Sequence, residues 1–135
     1  MYIFGGRTTS NTTFNDLWGF NLVSRSWTRL VTSGAYPPPK SCASLLPYDK
    51  KLILYGGWTC SAVSPMQQGW KSFNHIHQYD RHLNLWSFIE TSNEGPALSG
   101  HSASIVGDMM IIFGGLSPEH NNGSAFHSSN DVRFL

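Results

Sequence analysis

Charge is scarce in this sequence. Asp, Glu, Lys and Arg together make up 13% of its 135 residues, and the formal net charge is +1. No basic stripe exists that could track a phosphate backbone, which argues against nucleic-acid binding. Long hydrophobic runs are missing too. The longest are strand-sized, so nothing reads as a membrane span, and no charged segment leads into an apolar secretory core. Cysteine is limited to Cys42 and Cys60. One pair without framework spacing suits a reducing cytosol or nucleus and leaves a single disulfide open. "NTT" at Asn11 and "NGS" at Asn122 match the glycosylation triplet, but such triplets arise readily in Ser/Thr/Asn-rich loops. Apolar periodicity near 3.6 is absent while Gly, Pro, Ser and Asn punctuate throughout, which excludes a long helix.

What is present is a repeat. Hydrophobic residues reach 40% and aromatics 13%, enough for a packed core in one ordinary domain length. "MYIFGG" opens the chain, "LILYGG" returns at 52–57 and "MIIFGG" at 110–115. The glycine pairs Gly5-Gly6, Gly56-Gly57 and Gly114-Gly115 are 51 and 58 residues apart, a period that signals propellers or solenoids. After each pair comes a second mark: "NDLWGFNLVSRSW" (Asn15–Trp27) aligns without a gap on "NHIHQYDRHLNLW" (Asn74–Trp86), and "NDVRFL" (Asn130–Leu135) starts it again. Before the glycines, "KSCASLLPYDKKLILYGG" and "LSGHSASIVGDMMIIFGG" have equal length. Runs such as Leu52–Tyr55 and Met109–Phe113 are continuously apolar, the pattern of strands covered on both faces. The middle unit therefore predicts four strands, 40–47, 52–57, 74–80 and 85–90.

Hydrophobic run, Gly-Gly, variable gap, Asn-Asp-hydrophobic-aromatic, then Trp resembles the Kelch repeat, whose four-stranded antiparallel blades build β-propellers. Finer features, "YIFGG…FNDLW", "PPPKSCASL…LILYGGWT" and "GHSAS…MMIIFGG", are similar to the Kelch domains of the F-box only protein 42 family of ubiquitin-ligase substrate adaptors. The resemblance implies an all-β partial Kelch propeller over 1–135: an incomplete blade at 1–30, a complete one at 40–90 and an incomplete one at 99–135. It also implies a fragment of a longer product, a non-catalytic protein-binding role, no cofactor, and a cytoplasmic or nuclear location. A link to the ubiquitin-ligase core would run through an F-box absent from this chain. Two other readings stay open, a cytoskeletal or scaffold Kelch protein without a ubiquitin role and a metal-dependent Kelch enzyme.

Glycines lacking Cβ permit unusual dihedrals and close approach at the joints between blades. The repeat's own Trp is the expected occupant of that space, Trp27 on Gly5-Gly6 and Trp86 on Gly56-Gly57, so Gly5, Gly6, Trp27, Gly56, Gly57, Trp86, Gly114 and Gly115 read as structural marks. Four antiparallel strands per blade also impose a parity. The connections "PYDKK", "VGD", "LVSR" and "RHLN" are short and leave from one face, whereas 7–14, 58–73, 116–129, 31–39 and 91–98 are long and leave from the other. Variable loops on a rigid scaffold are where function resides. The longest, "WTCSAVSPMQQGWKSF", is aromatic and nearly uncharged, a composition of protein-binding hot spots. Arg7, Trp58, Trp70, Lys71, Phe73, His120 and His127 are therefore the expected partner contacts. Folding of Trp58 and Trp70 back onto the blade as a plug is the competing expectation.

Catalytic patterns are not found. No nucleophile elbow, Ser/His/Asp order or paired carboxylates occur among the eight acidic residues. His75 and His77 alternate along a predicted strand and share a side, but no third ligand lies at metal-binding spacing. His101 reads as a buried hydrogen-bonding group, and Cys60 with Tyr55 is too small a basis for a copper–radical centre.

Overall fold

The computed structural model describes residues 1–64, 67–91, 94–119 and 122–135. Every regular element in it is a strand. In chain order these are β1 (Tyr2–Arg7), β2 (Thr13–Asn21), β3 (Ser26–Leu30), β4 (Ser33–Gly34), β5 (Ser44–Tyr48), β6 (Lys51–Tyr55), β7 (Trp58–Ser64) and β8 (Gln67–Ser72). They continue with β9 (Ile76–Asp80), β10 (Leu85–Ile89), β11 (Ser102–Val106), β12 (Met109–Phe113), β13 (Leu116–Glu119), β14 (Asn122–Ser128) and β15 (Val132–Phe134). Three sheets, ordered β1-β2-β3, β4-β10-β9-β6-β5 and β11-β12-β15, carry the repeat.

Two details depart from the expected four-stranded unit. The linker after β3 adds β4 as a short parallel partner of β10, Ser33 opposite Leu85 and Gly34 opposite Trp86. The segments 58–73 and 116–129, expected as loops, pair internally as the hairpins β7-β8 and β13-β14. The reason is local for the first: β6 and β9 are antiparallel neighbours, so the chain between them leaves and returns side by side and can continue the ladder outward.

The repeated marks have separate physical origins. Asn21 Oδ1 accepts the backbone N–H groups of Val23 and Ser24 at 2.9 and 3.1 Å. Asp80 Oδ1 does the same for His82 and Leu83 at 2.8 and 3.0 Å. Each is an Asx turn that reverses the chain into the last strand of its unit. Positive φ at Arg25 and Asn84, 55° and 54°, completes the two turns identically.

The glycines require a correction. Gly5 has φ +65°, and a Cβ there would lie 2.4 Å from the Lys40 carbonyl oxygen; at Gly56, φ +69°, it would lie 2.6 Å from that of Leu98. The vacated space is filled by backbone entering the next unit, not by the repeat's Trp. Gly6 N–H donates to Lys40 O at 3.0 Å and Gly57 N–H to Leu98 O at 2.8 Å, so each of the first two glycine pairs pins the following unit in place.

The middle sheet is packed on both faces because β6 alternates. Leu52 and Leu54 join Leu17, Tyr79 and Trp86 in one core, with Phe4 and Leu30 against it. Ile53 and Tyr55 join Ile76, Leu98, Met110 and Ile112 in the other. Trp86 is 1% exposed and meets Phe4 of the preceding unit edge-on, ring centroids 5.4 Å apart. Trp27, at the same repeat position, rests on Phe20 at 4.8 Å and is 46% exposed. The identical residue is core or surface according to whether a neighbouring unit covers it.

Truncation should separate the two. Trp86→Ala is expected to lower stability by about 3–5 kcal/mol, the range for large aromatics in cores. Trp27→Ala should cost less than about 1.5 kcal/mol, since half its surface is already hydrated. Urea denaturation of both variants checks this, and equal losses would contradict the packing described.

Candidate loop-face recognition site

The connections 7–14, 58–73 and 116–129 meet at one end of the sheets. Arg7 ends β1, and its Nη1 donates to Asn11 Oδ1 at 2.6 Å across a turn tightened by Thr12 N–H on Thr8 Oγ1. Its guanidinium stands 5.3 Å from the Trp58 ring centroid, a cation–π contact between the first and second units. A hydroxyl hydrogen bond of 2.7 Å joins Thr13 to Thr59 across the same boundary.

Strand pairing sorts the β7-β8 side chains. Trp58 opposes Ser72, Thr59 opposes Lys71 and Cys60 opposes Trp70, and directly opposed residues point to the same side. Trp58 and Trp70 thus share one face and contact diagonally, centroids 4.6 Å apart. Trp70 then meets Phe126 of β14 at 6.5 Å and 90°. With Ser99 and Leu116 these three aromatics line an apolar groove of about 200 Å³. Neither Trp is an exposed finger or a buried plug: both are half-buried walls of that groove. The other face of the hairpin turns Thr59 and Lys71 toward the first unit. There a larger polar cleft of about 580 Å³ opens against Asn11, Thr12 and Thr13.

Not every expected contact lies on the surface. Arg7, Lys71 and His127 are exposed. Phe73 is only 4% exposed; it forms the floor of the cleft and cannot serve as a projecting contact. His120 falls outside the described residues. Cys42 and Cys60 are both free thiols. His101 Nε2 lies 3.0 Å from Ser44 Oγ and its ring packs edge-on against Tyr55, so its role is structural.

One residue that the sequence reading passed over is Lys40. It is 0% exposed. Its Nζ lies 4.3 Å from the Phe73 ring centroid and has no hydrogen-bond partner among the described residues. Burial brings its pKa down from the ordinary 10.5 to about 8. The signal was in the repeat: aligning "KSCASL" on "LSGHSA" sets Lys40 opposite Leu98, a core position in the next unit.

Nearby, His75 and His77 do share a side, both packing edge-on against Phe88. Burial, then the charge of Lys40, brings His77 down to about 4. His75 is lowered by the same causes, with Lys71 added. Among the described residues no group of three or more His, Cys, Asp or Glu side chains gathers as a metal site would require. Among the described residues no helix is long and apolar enough to cross a membrane.

These shifts have a sign. The folded chain releases the Lys40 proton at lower pH than the unfolded chain, so stability rises with pH between about 8 and 10.5. It falls as pH drops from 6.5 through 4, where the unfolded chain takes up a proton that folded His77 refuses. Urea titrations should show wild type gaining up to about 3 kcal/mol over the alkaline range relative to Lys40→Leu. His77→Phe should flatten the acid limb. Curves parallel to wild type would mean that the two groups are not held as described.

A family model described as "FBX42, beta-propeller domain" matches residues 1–135. The leucine-zipper-like transcriptional regulator 1 homolog of Drosophila melanogaster is 31% identical over 125 residues, 85% of this chain and 12% of that protein. Kelch domain-containing protein 3 of Homo sapiens is 28% identical over 134 residues, 98% of this chain and 32% of that protein. The Rho GTPase-activating protein gacHH of Dictyostelium discoideum is 27% identical over 137 residues, 98% of this chain and 9% of that protein. The chain spans from 9% to 32% of the length of these relatives. The match along the whole chain agrees with the glycine joints, the Asx turns and the three repeated sheets: the protein belongs to the FBX42 β-propeller family and carries Kelch repeats.

Proposed function

We propose that the chain is a non-catalytic protein-recognition module whose partner seats on the loop face. The finer reading is the substrate-recognition part of an F-box/Kelch ubiquitin-ligase adaptor. The observation that carries the first statement is the aromatic row of Trp58, Trp70 and Phe126, drawn from two units and left half-open as a groove. Aromatic side chains fixed by packing lose little entropy on binding and bury large area, which is why they anchor interfaces. The relatives support the same view. Their names differ, a GTPase-activating protein, a transcriptional regulator homolog and a Kelch domain-containing protein, yet the shared segment is 9–32% of each. A segment common to proteins so differently named fits an interaction module better than an enzyme active site. The adaptor role rests on the family alone, and a scaffold without ubiquitin transfer uses the same groove.

Trp70→Ala should weaken capture of cellular partners by the immobilised chain about tenfold or more, the scale of an interface hot spot, while the urea midpoint falls by less than that of Trp86→Ala. Unchanged capture would reject the groove as the binding surface. Adaptor and scaffold separate on turnover: partners of an adaptor persist longer in cells depleted of the longest product containing this chain, and partners of a scaffold do not.

A further inference from the structure

The polar cleft beside the hairpin has a charge pattern that the aromatic groove does not explain. Four residues follow one another across the boundary between the first two units. Arg7 opposes Thr13 in the β1-β2 ladder, Thr13 is hydrogen-bonded to Thr59, and Thr59 opposes Lys71 in β7-β8. The row reads cation, hydroxyl, hydroxyl, cation. Among the described residues no Asp or Glu lines the cleft, and the ion pair seen among them, Arg133 with Asp131, lies in the third unit. Arg7 is held by the neutral Asn11 and by the Trp58 ring, so it is oriented without being neutralised. Beneath the cleft a further ammonium, Lys40, shares the Phe73 ring with Lys71, at 4.3 and 5.6 Å. Lys71 thus lines the cleft, Arg7 reaches its edge through Asn11, and Lys40 lies under its Phe73 floor, in a chain whose net charge is only +1.

The donors match the charge. Asn11 accepts from Arg7 through Oδ1, which leaves its amide N–H groups to donate. Of the two threonine hydroxyls one donates to the other, and the second retains a free hydrogen. Lys71 offers its ammonium to solvent.

We propose, resting on the loop-face reading above, that this cleft binds an acidic, extended segment of the partner protein. Spacing refines the motif. Arg7 and Lys71 stand at the two ends of this row, joined by two ladder pairings and the Thr13–Thr59 hydroxyl bridge. An extended chain rises about 3.3 Å per residue and alternates sides, so side chains at i and i+4 lie on one face about 13 Å apart. Two carboxylates at that spacing reach the two cations, and the residue at i+2 faces Thr13 and Thr59. Separated single charges suit two carboxylates better than one phosphate, which favours a converged bidentate Arg fork, and part of the Arg7 fork is engaged by Asn11.

The test uses the fluorescein-labelled peptide Gly-Ser-Glu-Ser-Thr-Ser-Glu-Ser-Gly and two controls, one with Gln for both Glu and one with a single phosphoserine in place of the pair. Fluorescence anisotropy with the full chain at 50 mM salt should show the Glu peptide binding about tenfold more tightly than the Gln peptide. The preference should vanish at 500 mM salt, where screening reaches within about 5 Å. Lys71→Glu, at an exposed position, should remove the preference with the urea midpoint in place, and Arg7→Glu should remove it while also giving up the Asn11 and Trp58 contacts. Equal affinity for the Glu and Gln peptides, no binding of the Glu peptide, tighter binding of the phosphoserine control, or indifference to Lys71→Glu overturns the proposal. Its failure is distinguishable from failure of the recognition module: if Lys71→Glu captures the same cellular partners as wild type while Trp70→Ala loses them, the acidic motif falls and the loop face stands.

Discussion

The structure depends on a close approach between backbones. At each joint a glycine with positive φ lets the carbonyl of the incoming unit, Lys40 O at Gly5 and Leu98 O at Gly56, come nearer than any side chain would permit. The next glycine's N–H then bonds that same carbonyl. Position is thereby transmitted from one sheet to the next through main-chain atoms, which do not change rotamer. Everything above the joint inherits its precision: the bridge of Ser41 to Trp58, the placement of Phe73, and the contact of Thr13 with Thr59.

Packing then follows from the joint. With the sheets held in place, the alternation of β6 sends Leu52 and Leu54 one way and Ile53 and Tyr55 the other. A continuous apolar run is the only composition that satisfies both faces. Lys40 shows how tightly the arrangement constrains the chain. Its position is apolar in the next unit, yet here an ammonium is enclosed and held against an aromatic face. Burial of an unpaired cation opposes folding, and the two neighbouring histidines are pushed toward their neutral forms by burial and by that charge. The region under the loop face is electropositive because of this one enclosed residue and its exposed companion Lys71.

Much of the fold was legible in advance because repetition amplifies weak signals. Three glycine pairs at a steady period identify a joint where one would identify nothing, and the gapless match of Asn15–Trp27 to Asn74–Trp86 located the turn capped by Asn21 and Asp80. The purpose of the glycines was misread, since a vacant Cβ indicates that something approaches but not what; a carbonyl 35 or 42 residues away leaves no trace in local pattern. The fate of the repeated Trp was equally invisible. Trp86 and Trp27 close strings that align without a gap, and it is the preceding unit, through Phe4 and Leu17, that makes one of them core.

The loop face divides in the same way. That the long connections share one side follows from strand parity, a rule of antiparallel chains readable from order alone. Which of their residues meet is another matter. The β7-β8 hairpin puts Trp58 and Trp70 on one side and Thr59 and Lys71 on the other, separating an aromatic groove from the cleft that Lys71 lines in a segment that reads as a single aromatic loop. Sequence by itself determined the repeat, the strand class and the face that carries the variable segments, because these are set by spacing along the chain. Tertiary structure alone decided the carbonyls at the glycines, the burial of Lys40 and Phe73, and the row from Arg7 to Lys71. Those depend on distances between units that no local pattern encodes.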